Sequence, residues 1–179
     1  KQFFNILDKY DLLKDSVIII TSDHGEEFGE HGGLSHDGKF YSELINVPFI
    51  VYDYSRNKGE ACSKLVSNID IPPTIAHLFG LEPTENFKGQ SLIPLDSYQE
   101  RGCFGEAIDK RGVQEKEADK PAYYFYNGQH KIIYREGIDA WEMYDLKKDP
   151  QEQENIVDIS PLAKQMKDIL IPRVRRWEK

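Results

Sequence analysis

The sequence predicts an α/β fold in which the edge of a mostly parallel sheet, flanked by helices, is followed by a small antiparallel sheet packed by a helix. Three features carry this. An amphipathic segment, KQFFNILDKYDLL, runs into the β-branched stretch SVIIIT, and a strand apolar on both faces suits a sheet covered on each side. A second apolar stretch, VPFIVYDY, follows after a long polar segment. Beyond Ala122 the pattern changes to short β-rich stretches around Asn127-Gly128, a strong hairpin signal.

In order along the chain, Phe3, Phe4, Ile6, Leu7, Tyr10 and Leu13 recur at helical spacing and predict a helix with one buried face. Ser16–Thr21 is the first strand and Val47–Tyr54 the second, with Pro48 tolerable near a strand start. Asp70-Ile71-Pro72-Pro73-Thr74 opens a helix, with prolines in its first turn and Gly80 at its end. Residues 96–121 are charged and poor in aliphatics, and read as strand–loop–strand with a mobile tip around Arg111 to Lys120. AYYFYNGQHKIIYREG predicts a hairpin and WEMYDL a third short strand. Asp149-Pro150 turns the chain, and Ser160-Pro161 starts a closing helix with Leu162, Met166, Ile169 and Leu170 on one face. The expected division is residues 1–95 and 96–179.

The chain has 179 residues, 39% of them hydrophobic and 12% aromatic, enough for a buried core. Its net charge of −8 argues against nucleic acid as a partner, since a backbone binder needs a basic face. An anionic substrate stays compatible, because a bound cation reverses the local field. No apolar run reaches the roughly 18 residues of a membrane span. The chain opens directly in a helix without an initiator Met, and is expected to continue a longer protein. Cys62 and Cys103 form neither a disulfide framework nor a zinc cluster. Two free thiols or one structural disulfide are the alternatives, and the lack of a framework leans towards a cytoplasmic setting in a compartment otherwise open.

The chemistry concentrates in Thr21-Ser22-Asp23-His24-Gly25-Glu26. A carboxylate and an imidazole stand at the C-terminal end of an apolar strand, where open α/β sheets place ligands. Asp23 offers a hard oxygen and His24 a nitrogen, so the pair suits a shared divalent metal. Gly25 lets the backbone turn directly after them. A plain turn with a capped helix start is the alternative. His31, His77 and His130 read as loop-stabilising or structural. Glu26, Glu27 and Glu30 read as solvated loop acids, Arg173 to Arg176 as a solvated helix end, and Tyr123, Tyr124, Tyr126 and Tyr134 as strand packing.

VIIITSDHGEEFGEHGG closely resembles the metal-binding segment of sulfatases, within the alkaline phosphatase superfamily. LVSNIDIPPTIAHLFGLEPTENFKGQSLIPL is similar to the family segment in which a helix closes the catalytic domain before a Gly-Gln-Ser-Leu turn. HKIIYREGIDAWEMYDLKKDPQEQENIV is similar to the family's C-terminal hairpin and its Tyr-Asp-Leu…Asp-Pro…Glu…Asn ending. Nearly the whole chain is covered, in the family's order.

The resemblance implies an alkaline-phosphatase-like sheet, a catalytic-domain portion in residues 1–95 and a C-terminal subdomain in 96–179. It also implies metal-dependent hydrolysis of a small-molecule or glycan sulfate ester, releasing inorganic sulfate. Asp23 and His24 match two metal ligands, although many sulfatases carry Asn at the second position. The family implies calcium; with a His ligand, manganese, magnesium or zinc remain alternatives. His36 and Lys39 fall where the family contacts the sulfate or bridging oxygen, although SHDGKFY is a residue out of step, which leaves the choice between them open.

The family's nucleophile is a formylglycine made from Cys or Ser in a Cys/Ser-x-Pro/Ala-x-Arg context. Cys62 and Cys103 both lack that context, and the early aspartate pair of the metal site is absent too. Both are expected upstream, in a missing N-terminal part of the catalytic domain, so the isolated chain is expected to be inactive. Two alternatives stand beside this. One is a phosphodiester or phosphonate ester hydrolase, or a phosphoethanolamine-type transferase, of the same superfamily. The other is a non-catalytic structural or interaction domain.

Overall fold

A computed structural model describes residues 1–34, 36, 38–55, 59, 61–108 and 121–174. The expected tip at Arg111 to Lys120 lies outside these residues, as do Arg175 and Arg176.

Helix α1 (Gln2–Lys9) leads through a turn into β1 (Val17–Thr21). A long loop and one helical turn, α2 (Ser42–Ile45), connect β1 to β2 (Phe49–Asp53). The two strands pair antiparallel, with Ile18 opposite Tyr52 and Ile20 opposite Ile50. Among the described residues neither has a parallel neighbour. The β-branched composition of β1 reports its packing environment and not its direction; the loop and α2 return the chain running the opposite way. Helix α1 forms where the spacing predicts it, but none of its residues is buried. Phe4 stands edge-on against Tyr52 at 5.2 Å, while Phe3, Ile6 and Tyr10 are exposed.

Helix α3 (Ile71–Leu78) begins at the expected prolines. Before it, Ser67 and Asp70 form a capping box, so Asp70 serves the turn ahead of the helix. The fully buried Asp70 carboxylate also accepts from Arg101 Nη2 at 2.6 Å, Gln90 N at 2.8 Å and Tyr98 Oη at 3.0 Å. This joins the Gly-Gln-Ser-Leu turn to the base of the second sheet.

That sheet is a four-stranded antiparallel meander in the order β3 (Cys103–Ile108), β4 (Pro121–Tyr126), β5 (His130–Arg135) and β6 (Ala140–Asp145). Gly128, at φ +93°, opens the β4–β5 turn, and Asn127 Oδ1 accepts from the amides of Gln129 and His130. Helix α4 (Ala163–Val174) packs Met166 and Leu170 on Tyr123, Phe125, Ile132 and Met143, closing the main core. Leu162 and Ile169, on the same predicted face, stay partly exposed. Arg173 is not simply solvated: its guanidinium lies 3.4 Å from the centre of the Phe104 ring. Both cysteines are free thiols, Cys62 exposed and Cys103 half-buried.

Candidate metal and ester site

The end of β1 is held from a distance. Thr21 Oγ1 donates to Asn68 Oδ1 at 3.1 Å, and Asn68 Nδ2 donates to the Ser22 carbonyl at 2.9 Å. This fixes the backbone from which Asp23 and His24 project. Gly25 follows, but not for a sharp positive-φ turn. Its amide donates to the Leu44 carbonyl at 2.7 Å, and a Cβ on it would stand 1.9 Å from the Glu43 oxygen. Glycine is needed because loop and α2 meet backbone to backbone.

Asp23 and His24 stand close enough for one cation to reach both. Asp23 Oδ1 accepts from the His24 amide at 3.0 Å, which, with further local hydrogen bonds, holds the carboxyl below its usual range. Its Oδ2 stands 3.6 Å from His24 Nε2. Two donors bound to one ion at about 2.0–2.4 Å lie near this separation. His24 Nδ1 sits 2.8 Å from the Gly25 carbonyl and so carries the hydrogen, leaving the Nε2 lone pair free. Both side chains are open to solvent, Asp23 at 87% and His24 at 44% exposure, so further ligands would have room. The donor set fits a divalent ion.

His36 joins this pair. Its ring stacks on that of His24 with centres 4.1 Å apart, and its Nδ1 faces Glu26 Oε2 at 3.3 Å. Lys39 takes a different course. Its ammonium is 2.6 Å from Glu27 Oε2 and reaches the His31 carbonyl at 3.4 Å. The structure therefore brings Asp23, His24 and His36 together and ties Lys39 into the wall beneath them.

Glu27 is not a solvated acid: it is fully buried. Lys39, together with the Gly33 and His31 amides at 2.7 and 2.9 Å on Oε1, stabilises its charge and keeps its pKa low against the opposing effect of burial. His31 has its loop-stabilising role. It stacks on Tyr41 at 3.6 Å, and its Nδ1 lies 2.6 Å from Glu43 Oε1. Glu27, His31 and Glu43 lie close enough to hold an ion, but their donor atoms are already engaged with one another, with Lys39 and with backbone. Asn68 was not singled out by sequence, and Glu27 was read there as a solvated acid. Their importance depends on partners brought from elsewhere in the chain, and no local spacing signals it.

A cleft of about 610 Å³ is lined by Asp23, His24, His36 and Lys39 together with Tyr124 and Tyr126 of the second sheet. Tyr124 packs on Phe40, and burial pushes its hydroxyl pKa up to about 12, so it stays a neutral donor. No helix among the described residues is long and apolar enough to cross a membrane.

The family described as N-sulphoglucosamine sulphohydrolase, C-terminal, matches residues 29–177. N-acetylglucosamine-6-O-sulfatase of Bacteroides thetaiotaomicron is 30% identical over 94% of the chain and 31% of its own length. Arylsulfatase K of Gallus gallus is 27% identical over 99% of the chain and 34% of its own length. The chain thus spans about a third of the length of these curated relatives. Among solved structures, BT4656 in complex with its substrate D-glucosamine-2-N,6-O-disulfate superposes with a TM-score of 0.75 at 27% identity, covering 99% of this chain and 37% of that one. The phosphonate monoester hydrolase of Agrobacterium radiobacter shares the fold, with a TM-score of 0.78 at 23% identity over 97% of this chain and 37% of that one. Motif order, fold and family match converge, and the chain belongs to the sulfatase family of the alkaline phosphatase superfamily, matching its C-terminal portion.

Proposed function

We propose that the protein carrying this chain is a metal-dependent sulfuric ester hydrolase, releasing inorganic sulfate from a small-molecule or glycan sulfate ester. The observation that carries this is the Asp23–His24 pair, with Oδ2 and a lone-pair Nε2 3.6 Å apart at a strand end. Family membership supports it. Asp23 and His24 hold the ion; calcium follows from the family, with manganese, magnesium or zinc compatible with a nitrogen ligand. Such an ion supplies polarisation of the ester oxygens. His36 stands beside the pair with Nδ1 facing Glu26; with the ring as imidazolium, its Nε2–H would pass a proton to the leaving alcohol oxygen and leave neutral imidazole, with Nδ1–H still on Glu26. Lys39, held by Glu27, acts through the shape of the loop. The nucleophile, expected to be a formylglycine, and the remaining ligands belong to the upstream part of the catalytic domain. The chain of 179 residues alone is therefore inactive.

A second reading keeps the site and changes the ester. The multifunctional alkaline phosphatase superfamily protein PehA of Trinickia caryophylli is 26% identical over 92% of this chain and 35% of its own length. Phosphodiester or phosphonate ester hydrolysis would use the same Asp23–His24 pair.

The full-length protein is assayed on an aryl sulfate and on the matching phosphate diester and phosphonate ester, before and after chelation. The expected result is a sulfate preference that chelation abolishes. Asp23→Ala and His24→Ala each remove bound metal and lower kcat/KM by more than about 100-fold, beyond the cost of losing an outer partner of a ligand. Intact metal content and turnover in both variants would sink the site assignment. A preference for a phosphorus ester would move the protein to the second reading. Metal-dependent turnover by the isolated chain would refute its expected inactivity.

A further inference from the structure

Besides Glu27 and Glu43, residues far from it in sequence hold the loop that carries His36. On β5, Arg135 donates from Nη1 to the Gly38 carbonyl at 3.0 Å and from Nε to Glu142 Oε1 at 2.6 Å. On β6, Glu142 Oε2 accepts from the Tyr41 hydroxyl at 2.9 Å and from Tyr144 at 3.0 Å. The Arg135 guanidinium also lies 5.8 Å from the centre of the Tyr41 ring. The next residue, Ser42, donates its amide to Glu152 Oε2 at 2.6 Å. Glu152 is buried with Lys131, whose ammonium is 2.7 Å from Oε1. The Glu152 carbonyl stands 3.2 Å from His31 Nε2.

The second sheet and the Asp149-Pro150 turn thus grip the loop at positions 31, 38, 41 and 42. Among the described residues, His36, lying between the gripped positions, meets Glu26 and the His24 ring. Its position over the Asp23–His24 pair is inherited from the grip.

We infer that Arg135 and Glu152 are positioning residues, which set the loop so that His36 meets the ester oxygen over the Asp23–His24 pair. This rests on the proposed hydrolase reading. Neither side chain needs to touch substrate. A planar guanidinium serves Gly38 and Glu142 at once, which a lysine ammonium on the same stem does not reproduce. Displacement of a reacting group by about 1 Å costs on the order of 100-fold in rate.

The test uses full-length protein and whichever ester the wild type turns over best, so that failure of the sulfate reading appears in the wild type and failure of this inference in the variants. Arg135→Lys is expected to lower kcat about 10- to 100-fold, with KM within about twofold and bound metal unchanged. Hydrogen exchange is expected to quicken in residues 31–43 and to stay unchanged in β1 and α3. Because removing Glu152 alone would strand the buried Lys131 charge, the second variant is Glu152→Ala combined with Lys131→Met, with the same expected split. Wild-type kcat in either folded variant overturns the inference. So does a loss that appears as metal depletion, or only near the melting temperature, because those mark a structural role.

Discussion

Glu27 carries a carboxylate into a place where water does not reach, and it stays charged because two amides and Lys39 replace the water. Its lowered pKa fixes the sign of a pH effect. The stability it contributes is present above the free value of 4.5 and is lost as pH falls through the lowered folded value. Glu27→Gln is therefore expected to be less stable than wild type near neutral pH, with the gap closing as the solution is acidified. Urea midpoints of both proteins at neutral and acid pH check this; a gap independent of pH would contradict it. At this scale the sequence was unevenly legible. Asp23 and His24 stand together at a strand end, so the pairing on which their proposed role rests is a local signal. Glu27 looks like its neighbours Glu26 and Glu30, because donors supplied by folding decide which of the three is buried.

Among elements, the DLKKDPQEQENIV ending shows what a readable motif does once folded. Asp149-Pro150 turns the chain, Glu152 sits at φ +56° and accepts from the Ser42 amide, and Asn155 caps the edge of β6. Asn155 Oδ1 accepts from the Met143 and Val157 amides, both at 3.0 Å, and Nδ2 donates to the Trp141 carbonyl at 3.2 Å. Asn155→Ala leaves these backbone groups without their partner and is expected to cost about 1–3 kcal/mol. Chemical denaturation measures it, and a change below about 0.5 kcal/mol would show that water replaces the side chain. The β4–β5 hairpin and the closing helix were legible because Asn127-Gly128 and the spacing of Met166 and Leu170 are local signals. The β1–β2 direction was not, since an apolar strand reads the same in either sense.

Across the molecule, the two sheets differ in how completely they are covered. The second has a closed core with Ile132, Ile133 and Met143 fully buried. The first leaves Ile20, Ile50 and Val51 exposed, as are Phe3 and Ile6 of α1 and Tyr10 just after it. Apolar area of this kind marks a surface that takes a partner, and the upstream part of the catalytic domain is the occupant expected here. The chain produced alone is predicted to bind a hydrophobic dye and to self-associate at micromolar concentration, and supplying the upstream part is predicted to suppress both. Dye binding and sedimentation with and without that part decide the matter. A monomer that binds no dye would mean that these side chains need no cover.

The bond between the Ser42 amide and Glu152 spans 110 residues. Ribosomes add roughly 5–20 residues each second, so the loop waits on the order of ten seconds for the acceptor that finishes it. During synthesis the Asp23–His24 pair emerges long before the grip that aims His36. If the proposed site and grip hold, a nascent or prematurely terminated product would expose the Asp23–His24 pair without an aimed His36, and completion of the C-terminal sheet would time the onset of the proposed hydrolysis.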